Sequence, residues 1–370
     1  MKKMLKKISV LLILAMIVGI FQTGEVFAKA KYDDVGAFRK GMASVGKDGK
    51  YGYINKKGEE VVKPKYDSVG YFIEGLAGVT KDGKYGYINK KGEEVVKLKY
   101  DDVGDFTEGL AGVTKDGKIG YINKKGEEVV KLKYDGSWGF REGLAGVKKD
   151  GKCGYINKKG EEVVKPKYDE VGDFSEGLAG VGKDGKWGYI NKKGEEVVKL
   201  KYDGSWGFIE GLAGVKKNGK IGYINKKGEE VVKTKYDDTR GFWEGLASVK
   251  KGDKWGYINK KGEEVVKPKY DDAWNFREGL ARVGKDGKCG YINKKGKEVV
   301  KLKYDDAWSF SEGLARVGKD GKYGYINKKG EEVIKLKYDD AIFFSEGIAS
   351  VREGDNWYII DKKGKVIRKI

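Results

Sequence analysis

The sequence predicts an all-β protein, built as a tandem array of ten 34-residue units that are each a three-stranded antiparallel meander. Three observations support this class. The tyrosine of the tripeptide Lys-Tyr-Asp recurs ten times at a constant spacing of 34 residues, from Tyr32 to Tyr338. Two turn signals, Asp-Gly and Asn-Lys-Lys-Gly, divide most of the units. Between the turns, side chains alternate with the period of two that is typical of a strand.

The strands of one unit follow from these turns. We expect them at residues 110–114, 118–123 and 127–135 in the third unit, with equivalents at every step of 34. A polar loop that contains one Phe, such as Phe106, then leads to the next unit, and this Phe is predicted to plug the space between neighbouring units. One small meander is marginally stable alone, so the stacked array is the predicted folding unit.

The array could be open or closed. We favour an open, twisted β-superhelix or solenoid, because propellers usually have four to eight blades of four strands. The alternative is a closed, propeller-like ring sealed by its termini. It is permitted because the last unit stops inside its third strand, whereas the first unit begins with Lys31 and Tyr32, the end of such a strand.

The first 28 residues differ from the rest of the chain. Four lysines precede an apolar run over residues 8–20, and Val26 and Ala28 are suitably small for a cleavage site near Ala28, with Ala30 as a second choice. This pattern predicts a secretory signal peptide at residues 1–28, too short in its apolar part to span a bilayer. Residues 29–370 are then a single repeat array. We expect a secreted or cell-surface protein with no transmembrane segment in the mature chain.

The charge is strongly positive. The chain carries a net +20, of which residues 1–28 supply three, so the mature chain carries +17. Lysines and acidic residues are interleaved in every unit, which is typical of a solvated repeat surface. We therefore do not expect nucleic acid as a partner, and an anionic polymer stays open.

The composition disfavours an enzyme. The chain has no His, which removes the usual Ser-His and Cys-His arrangements and the common zinc ligands. Its acidic residues recur at equivalent places, whereas a catalytic carboxylate pair needs one special environment. We expect no catalytic residue, no cofactor and no metal site.

The two cysteines occupy the same position in different units. Cys153 and Cys289 are 136 residues apart, which is four units. Stacked units should keep them beyond the roughly 7 Å Cα separation that a disulfide allows. No disulfide is expected between them.

The unit sequence resembles a known family. The pattern GKWGYINKKGEEVVKLKYD, followed by F.EGLAGV, at residues 185–215 resembles the WG-repeat (KWG-repeat) family of bacterial exported and surface proteins. Its Trp-Gly pair stands at Trp187-Gly188 and Trp255-Gly256, whereas Tyr, Ile or Cys replaces the Trp in most other units. The last unit departs further, with Trp357-Tyr358. The resemblance implies a β-rich repeat and no general catalytic activity.

One loop position, four residues after each Lys-Tyr-Asp tyrosine, varies more than the rest. We call it the variable position. It holds Gly in four units and Ile in the last, and the remaining five residues are our candidate ligand contacts: Trp138, Trp206, Arg240, Trp274 and Trp308. A position that accepts both Gly and Trp is not tightly packed in every unit, and exposed aromatic rings beside basic residues suit a glycan or an anionic polymer.

The predicted function is a secreted scaffold that acts as a multivalent binding or adhesion surface. Its partner would be an anionic cell-envelope polymer, a glycan or a protein, held by many weak and equivalent contacts. The alternative is a purely structural surface component that associates with itself.

Overall fold

The structure, a computed structural model, describes residues 31–370, and every helix or strand in that range is a β-strand. Forty strands form ten antiparallel sheets of four strands each. In every sheet the strands are hydrogen-bonded in chain order, so each 34-residue unit supplies one complete sheet. The ten sheets are the blades of a β-propeller, numbered here 1 to 10 along the chain.

The first strand of a blade has two residues, except in blade 7, where it has six. These strands are β1 (Asp34–Val35), β5 (Ser68–Val69), β9 (Asp102–Val103), β13 (Gly136–Ser137), β17 (Glu170–Val171), β21 (Gly204–Ser205), β25 (Asp238–Trp243), β29 (Asp272–Ala273), β33 (Asp306–Ala307) and β37 (Asp340–Ala341).

The second strand has six residues throughout. These strands are β2 (Met42–Lys47), β6 (Leu76–Lys81), β10 (Leu110–Lys115), β14 (Leu144–Lys149), β18 (Leu178–Lys183), β22 (Leu212–Lys217), β26 (Leu246–Lys251), β30 (Leu280–Lys285), β34 (Leu314–Lys319) and β38 (Ile348–Glu353).

The third strand also has six residues. These strands are β3 (Lys50–Asn55), β7 (Lys84–Asn89), β11 (Lys118–Asn123), β15 (Lys152–Asn157), β19 (Lys186–Asn191), β23 (Lys220–Asn225), β27 (Lys254–Asn259), β31 (Lys288–Asn293), β35 (Lys322–Asn327) and β39 (Asn356–Asp361).

The fourth strand has seven residues, except for the last, which has four. These strands are β4 (Glu60–Tyr66), β8 (Glu94–Tyr100), β12 (Glu128–Tyr134), β16 (Glu162–Tyr168), β20 (Glu196–Tyr202), β24 (Glu230–Tyr236), β28 (Glu264–Tyr270), β32 (Glu298–Tyr304), β36 (Glu332–Tyr338) and β40 (Val366–Lys369).

Both predicted turns are present. Between β6 and β7, Asp82 and Gly83 have φ values of 52° and 71°, as a two-residue type I′ hairpin requires. Between β7 and β8, the Gly92 N–H donates to the Asn89 carbonyl at 2.9 Å, and Gly92 has a φ of 80°. The Asn89 side-chain oxygen also accepts from the backbone N–H of Lys91 and Glu93. Local turn chemistry therefore sets the hairpin lengths and the strand register.

The blades pack through ten hydrophobic clusters of almost the same composition, one at each junction between neighbours. Between blades 2 and 3, for example, the Tyr87 ring lies 4.8 Å from the Phe106 ring, edge to face. Phe106 is 1% exposed and its equivalents are similarly buried. The prediction that the loop Phe plugs the space between units is confirmed.

The tenth cluster closes the ring. It joins Ile348, Trp357 and Ile370 of blade 10 to Tyr32 and Phe38 at the start of the chain. Tyr32 lies where the Lys-Tyr-Asp tyrosine of an eleventh unit would be, and residues 31–370 amount to ten periods of 34. The prediction of an open superhelix was therefore wrong, and the closed ring that we kept as the alternative is correct.

The prediction of three strands per unit was also incomplete. The missed strand is the first of each blade, and in the third blade it pairs Asp102 with Thr114 and Val103 with Val113. Two residues are too few to show an alternating pattern, so the sequence predicts a loop for this segment. The three predicted strands agree with β10, β11 and β12 to within one residue.

Three other expectations concern the ends, the membrane and the cysteines. The predicted signal peptide at residues 1–28 lies outside the described residues.

Within residues 31–370, no helix is long and apolar enough to cross a membrane. Cys153 and Cys289 are free thiols and both are buried, so the predicted absence of a disulfide between them is confirmed.

Candidate functional site

In nine blades the variable position directly follows the first strand and extends its pairing, whereas in blade 7 Arg240 lies within β25. The Trp138 N–H donates to the Gly146 carbonyl at 3.0 Å, and the equivalent bond joins Trp274 to Arg282 at 2.9 Å. The backbone is thus held in the same way whether the position carries Gly, Trp or Ile. This explains why Gly and Trp are both compatible with the fold there.

Three of the four predicted indoles are exposed. Trp138 is 38% exposed, and Trp206 and Trp274 are each 45% exposed. Trp138 lies against Gly146, where an added Cβ would come within 2.8 Å of the indole. Trp206 packs in the same way on Gly214. Each of these two rings therefore covers a glycine of the second strand and leaves part of its own surface in solvent.

In blades 7 and 8 the variable positions contact each other. The Arg240 guanidinium of blade 7 lies 4.6 Å from the centre of a Trp274 ring in blade 8, and 4.8 Å from the Trp255 ring. The Arg282 guanidinium of blade 8 lies 5.5 Å from the centre of a Trp274 ring. Two guanidinium groups therefore lie close to the Trp274 ring, and each is attracted to the negative face of an aromatic ring.

Asp272 organises this group. Its carboxylate accepts hydrogen bonds from Arg240 at 2.9 Å, from Arg282 at 3.0 Å and from the Trp274 indole N–H at 2.7 Å. Arg240 also donates to the Ala273 carbonyl at 2.9 Å. The carboxylate fixes the orientation of the indole and partly neutralises the two guanidinium groups.

The next blade continues the surface. Arg316 stacks on Trp308 at 3.3 Å from the ring centre and donates a hydrogen bond to the Ala341 carbonyl. Burial lowers the pKa of Arg316, while the nearby Asp340 carboxylate opposes that shift, and the group stays charged at neutral pH. A cavity of about 210 Å³ lies between Trp274 and Trp308.

We call the set Arg240, Trp274, Arg282, Trp308 and Arg316 the Trp–Arg surface. It combines two indoles with three guanidinium groups, of which those of Arg240 and Arg282 are fixed by Asp272. Such a surface can stack on a flat apolar face and hydrogen-bond to oxygen atoms around it. It has no nucleophile paired with a base.

A second concave region surrounds Trp138. A cavity of about 340 Å³ is lined by Trp138 and Arg141 of blade 4 together with Asp102, Asp105 and Asp173 of neighbouring blades. This region is more acidic than the Trp–Arg surface. Within residues 31–370, no three Cys, Asp or Glu side chains come together as a group that could hold a metal ion.

The five predicted residues thus fall into two sets. The structure brings Arg240, Trp274 and Trp308 together, whereas Trp138 and Trp206 lie on blades 4 and 6, apart from that surface. Sequence reasoning missed Arg282 and Arg316. The sequence did contain a sign of them, because the position that holds Arg282 and Arg316 is Gly or Ser in the other units.

The closed ring of ten four-stranded blades places the protein among the β-propellers, with an aromatic and basic surface on one arc. A family model, described as WG containing repeat, matches ten consecutive stretches that run from residue 22 to residue 357. The chain therefore belongs to the WG-repeat family, as its motif suggested. No curated protein matches the chain by sequence.

One of the similar solved structures has a TM-score above 0.5, and it supports the fold alone. The chain is similar to a eukaryotic initiation factor, with 10% identity, a TM-score of 0.54, and coverage of 90% of this chain and 96% of that one. It also resembles the dihydro-heme d1 dehydrogenase NirN, with 12% identity, a TM-score of 0.38, and coverage of 83% and 75%. PorZ, a surface component of the type-IX secretion system of Porphyromonas gingivalis, matches at 10% identity and a TM-score of 0.31, over 92% of this chain and 59% of that one.

Proposed function

We propose that this propeller is a non-catalytic binding scaffold of an exported protein, and that the Trp–Arg surface contacts a glycan of the cell envelope. The observation that carries the proposal is the clustering of the variable positions in blades 7 to 9. In a ring whose units are otherwise nearly identical, three successive blades place Arg240, Trp274 and Trp308 side by side.

The chemistry of this surface favours a sugar polymer over a purely anionic one. Trp274 offers an exposed ring, and stacking on such a ring suits the apolar face of a sugar. The carboxylate of Asp272 already bonds to Arg240 and Arg282, so their charge is partly compensated. The net charge of the chain then acts as a long-range attraction to an anionic wall, while stacking supplies the contact.

The first experiment replaces all four indoles of the variable position by glycine, the residue that four other units carry there. We expect the variant Trp138→Gly, Trp206→Gly, Trp274→Gly, Trp308→Gly to fold and to lose about tenfold or more of its affinity for isolated cell walls. The measurement is the bound fraction in a sedimentation assay at increasing protein concentration.

The matched control is Trp187→Tyr, which changes a half-buried Trp of blade 5, away from the Trp–Arg surface, to a residue that equivalent positions of other units contain, as at Tyr85. Its wall binding should equal that of the wild type. Unchanged binding by the four-tryptophan variant would eliminate the indoles as the contact. A wild type that does not bind walls even at low salt, where charge attraction is strongest, would refute the proposed function itself.

A further inference from the structure

One contact ties each blade to the next on the side of the ring that carries the Phe-containing loops. Glu108 of blade 3 accepts a hydrogen bond from the Gly143 N–H of blade 4 at 3.0 Å and pairs with Lys158 of blade 4 at 2.9 Å. Glu142 and Gly143 both have positive φ, of 52° and 88°. Successive N–H groups in such a conformation form a small cup for an anion, called a nest.

The same contact recurs at nine of the ten junctions within residues 31–370. The glutamates are Glu74, Glu108, Glu142, Glu176, Glu210, Glu244, Glu278, Glu312 and Glu346. The last of them closes the ring, because Glu346 of blade 10 bonds to the Gly41 N–H of blade 1 at 2.9 Å and to Lys56 at 2.8 Å. Each nest is therefore occupied by a carboxylate from the preceding blade.

The junction between blades 1 and 2 is the exception. Lys40 stands where the other blades have Glu, so no carboxylate reaches the nest of blade 2. The nest itself is intact, since Glu74 and Gly75 have φ values of 51° and 96°. Among the described residues the Gly75 N–H has no hydrogen-bond partner, and Gly75 is exposed where its nine equivalents are half-buried. Lys90, the equivalent of the pairing lysine, donates instead to the Lys40 carbonyl at 2.5 Å.

The charge around this empty nest is positive. Arg39, Lys40 and Lys90 are exposed, and none of them forms an ion pair with a carboxylate among the described residues. The two nearest acids, Glu74 and Glu346, are each paired with a lysine of another junction. Three cations thus surround a position that is built to hold a carboxylate.

The site is also concave and has an aromatic rim. A cavity of about 690 Å³ is lined by loops of blades 10, 1 and 2, including Arg39, Lys40, Gly75 and Lys90. This volume lies within the range of small-molecule sites. Tyr71 on the rim is 45% exposed, and the Arg39 guanidinium lies 4.2 Å from its ring centre. An exposed ring beside a carboxylate site suits a sugar that carries an acid group.

We propose that the junction between blades 1 and 2 binds a carboxylated saccharide. Its carboxylate occupies the Glu74–Gly75 nest and pairs with Lys90, as a glutamate side chain does at the other nine junctions, and its ring lies against Tyr71. This site concerns blades 10, 1 and 2 and does not depend on the glycan contact proposed for blades 7 to 9.

The test uses trigalacturonic acid as the probe and isothermal titration calorimetry at low salt. The decisive variant is Lys40→Glu, which gives the empty nest the glutamate that the other junctions have. We expect affinity for the probe to fall about tenfold or more, because a charge-assisted contact is displaced. The thermal midpoint should not fall, because the variant completes the series of junction contacts. Affinity within twofold of the wild type would overturn the proposal.

The control is Lys57→Glu, which makes the same change of charge at an exposed turn residue on the same side of the ring. It should bind the probe within about twofold of the wild type, since only long-range attraction changes. An equal loss in both variants would mean non-specific attraction and would overturn the proposal. Should Lys40→Glu not fold, Lys90→Met removes the pairing cation and must show the loss.

Comparison ligands distinguish the class of molecule. Galactotriose tests the need for the carboxylate, a triglutamate peptide tests the need for the sugar, and inorganic phosphate tests the need for a planar acid. Weaker binding of all three than of trigalacturonic acid supports the proposal, and equal or tighter binding of any one overturns it. The four-tryptophan variant should retain trigalacturonic acid binding, which separates this site from the Trp–Arg surface.

Discussion

At the scale of single residues, the glycine of the Trp-Gly pair is required by a close approach of two backbones. A Cβ built on Gly188 would lie 2.3 Å from the Val198 carbonyl oxygen in the next strand, and eight equivalent glycines are equally close to their neighbours. The register between the third and fourth strands shifts at this point. In blade 10, where Tyr358 replaces the glycine, the fourth strand pairs differently, with Tyr358 opposite Lys369.

We therefore expect Gly188→Ala to destabilise the protein by about 1–3 kcal/mol, because the added methyl group forces the two strands apart. The measurement is the urea midpoint of unfolding. The control is Gly204→Ala, where the nearest atom to the added Cβ is a side-chain carbon at 3.5 Å, an ordinary contact. Equal midpoints for the two variants would show that the backbones separate at no cost.

The sequence predicted the candidate residues better than their contacts. The exposure of Trp138, Trp206 and Trp274 could be predicted, because a position that also accepts glycine is not tightly packed in every unit. The bond of Asp272 to Arg240 did not follow, because Arg240 lies on the blade before Asp272. Such contacts depend on how one blade is rotated against the next, and no local pattern reports that rotation.

At the scale of the structural element, charged contacts hold neighbouring blades together at both ends of the strands. At one end, each nest glutamate bonds to the next blade. At the other end, the Asp101 carboxylate accepts a hydrogen bond from Lys84 of blade 2 at 2.7 Å. It accepts a second from the Asp116 N–H, in the turn between β10 and β11 of blade 3, at 2.8 Å. The hydrogen bond from Lys84 lowers the pKa of Asp101, and the hydrogen bond from Lys124 lowers the pKa of Glu74 although burial opposes it.

These shifts predict how stability depends on pH. A carboxyl whose pKa is lower in the folded chain stabilises the fold while it is ionised, and this contribution is lost as the pH falls through the folded pKa. The repeated Asp and Glu groups should therefore make stability fall below about pH 4. Because the chain has no His, stability should be nearly constant between about pH 5 and 8.

Urea midpoints measured from pH 3 to pH 8 check this profile. High salt should reduce the difference between pH 7 and pH 3, since screening weakens exposed pairs. A midpoint that stays constant down to pH 3 would contradict the assigned role of the carboxylates.

The elements with strong local signals were predicted well. The second, third and fourth strands have turn residues at their ends and alternate along their length, and their positions were correct to within one residue. The first strand has only Asp102 and Val103 in blade 3, and its pairing depends on a partner about ten residues away. A strand of that length has no pattern of its own to read.

At the scale of the whole molecule, closure uses the same contacts as the internal junctions other than the one between blades 1 and 2. Tyr32 joins the cluster of Trp357 and Ile370, the Ile370 N–H donates to the Trp357 carbonyl at 2.9 Å, and Glu346 bonds to Gly41. The sequence could not decide between ring and superhelix, because a small rotation at each junction determines whether the tenth unit meets the first. That angle results from packing over whole blades.

A circular permutant tests this closure. Joining Ile370 directly to Lys31 and opening the chain between Asp184 and Gly185, in an exposed hairpin, should give a protein that folds with the circular dichroism spectrum of the wild type. The new bond would complete the fourth strand of blade 10 with Lys31 and Tyr32. The comparison is the chain cut between Asp184 and Gly185 with Ile370 and Lys31 left unjoined. The thermal midpoint of the permutant should equal or exceed that of this cut protein. A permutant that fails to fold would contradict a ring closed through these termini.

Lys40 distinguishes blade 1 from the nine other blades, which have Glu at the equivalent position, so positions around the ring can be counted from blade 1. A tenfold ring places neighbouring blades about 36° apart around its axis. Counted from blade 1, the exposed indoles of blades 4, 6 and 8 are therefore spaced by two blades, or about 72°, and Trp308 follows Trp274 after a single step of about 36°. A polymer bound at two of these positions would have to match those angles, so the ring would select its ligands by curvature and repeat length as well as by chemistry.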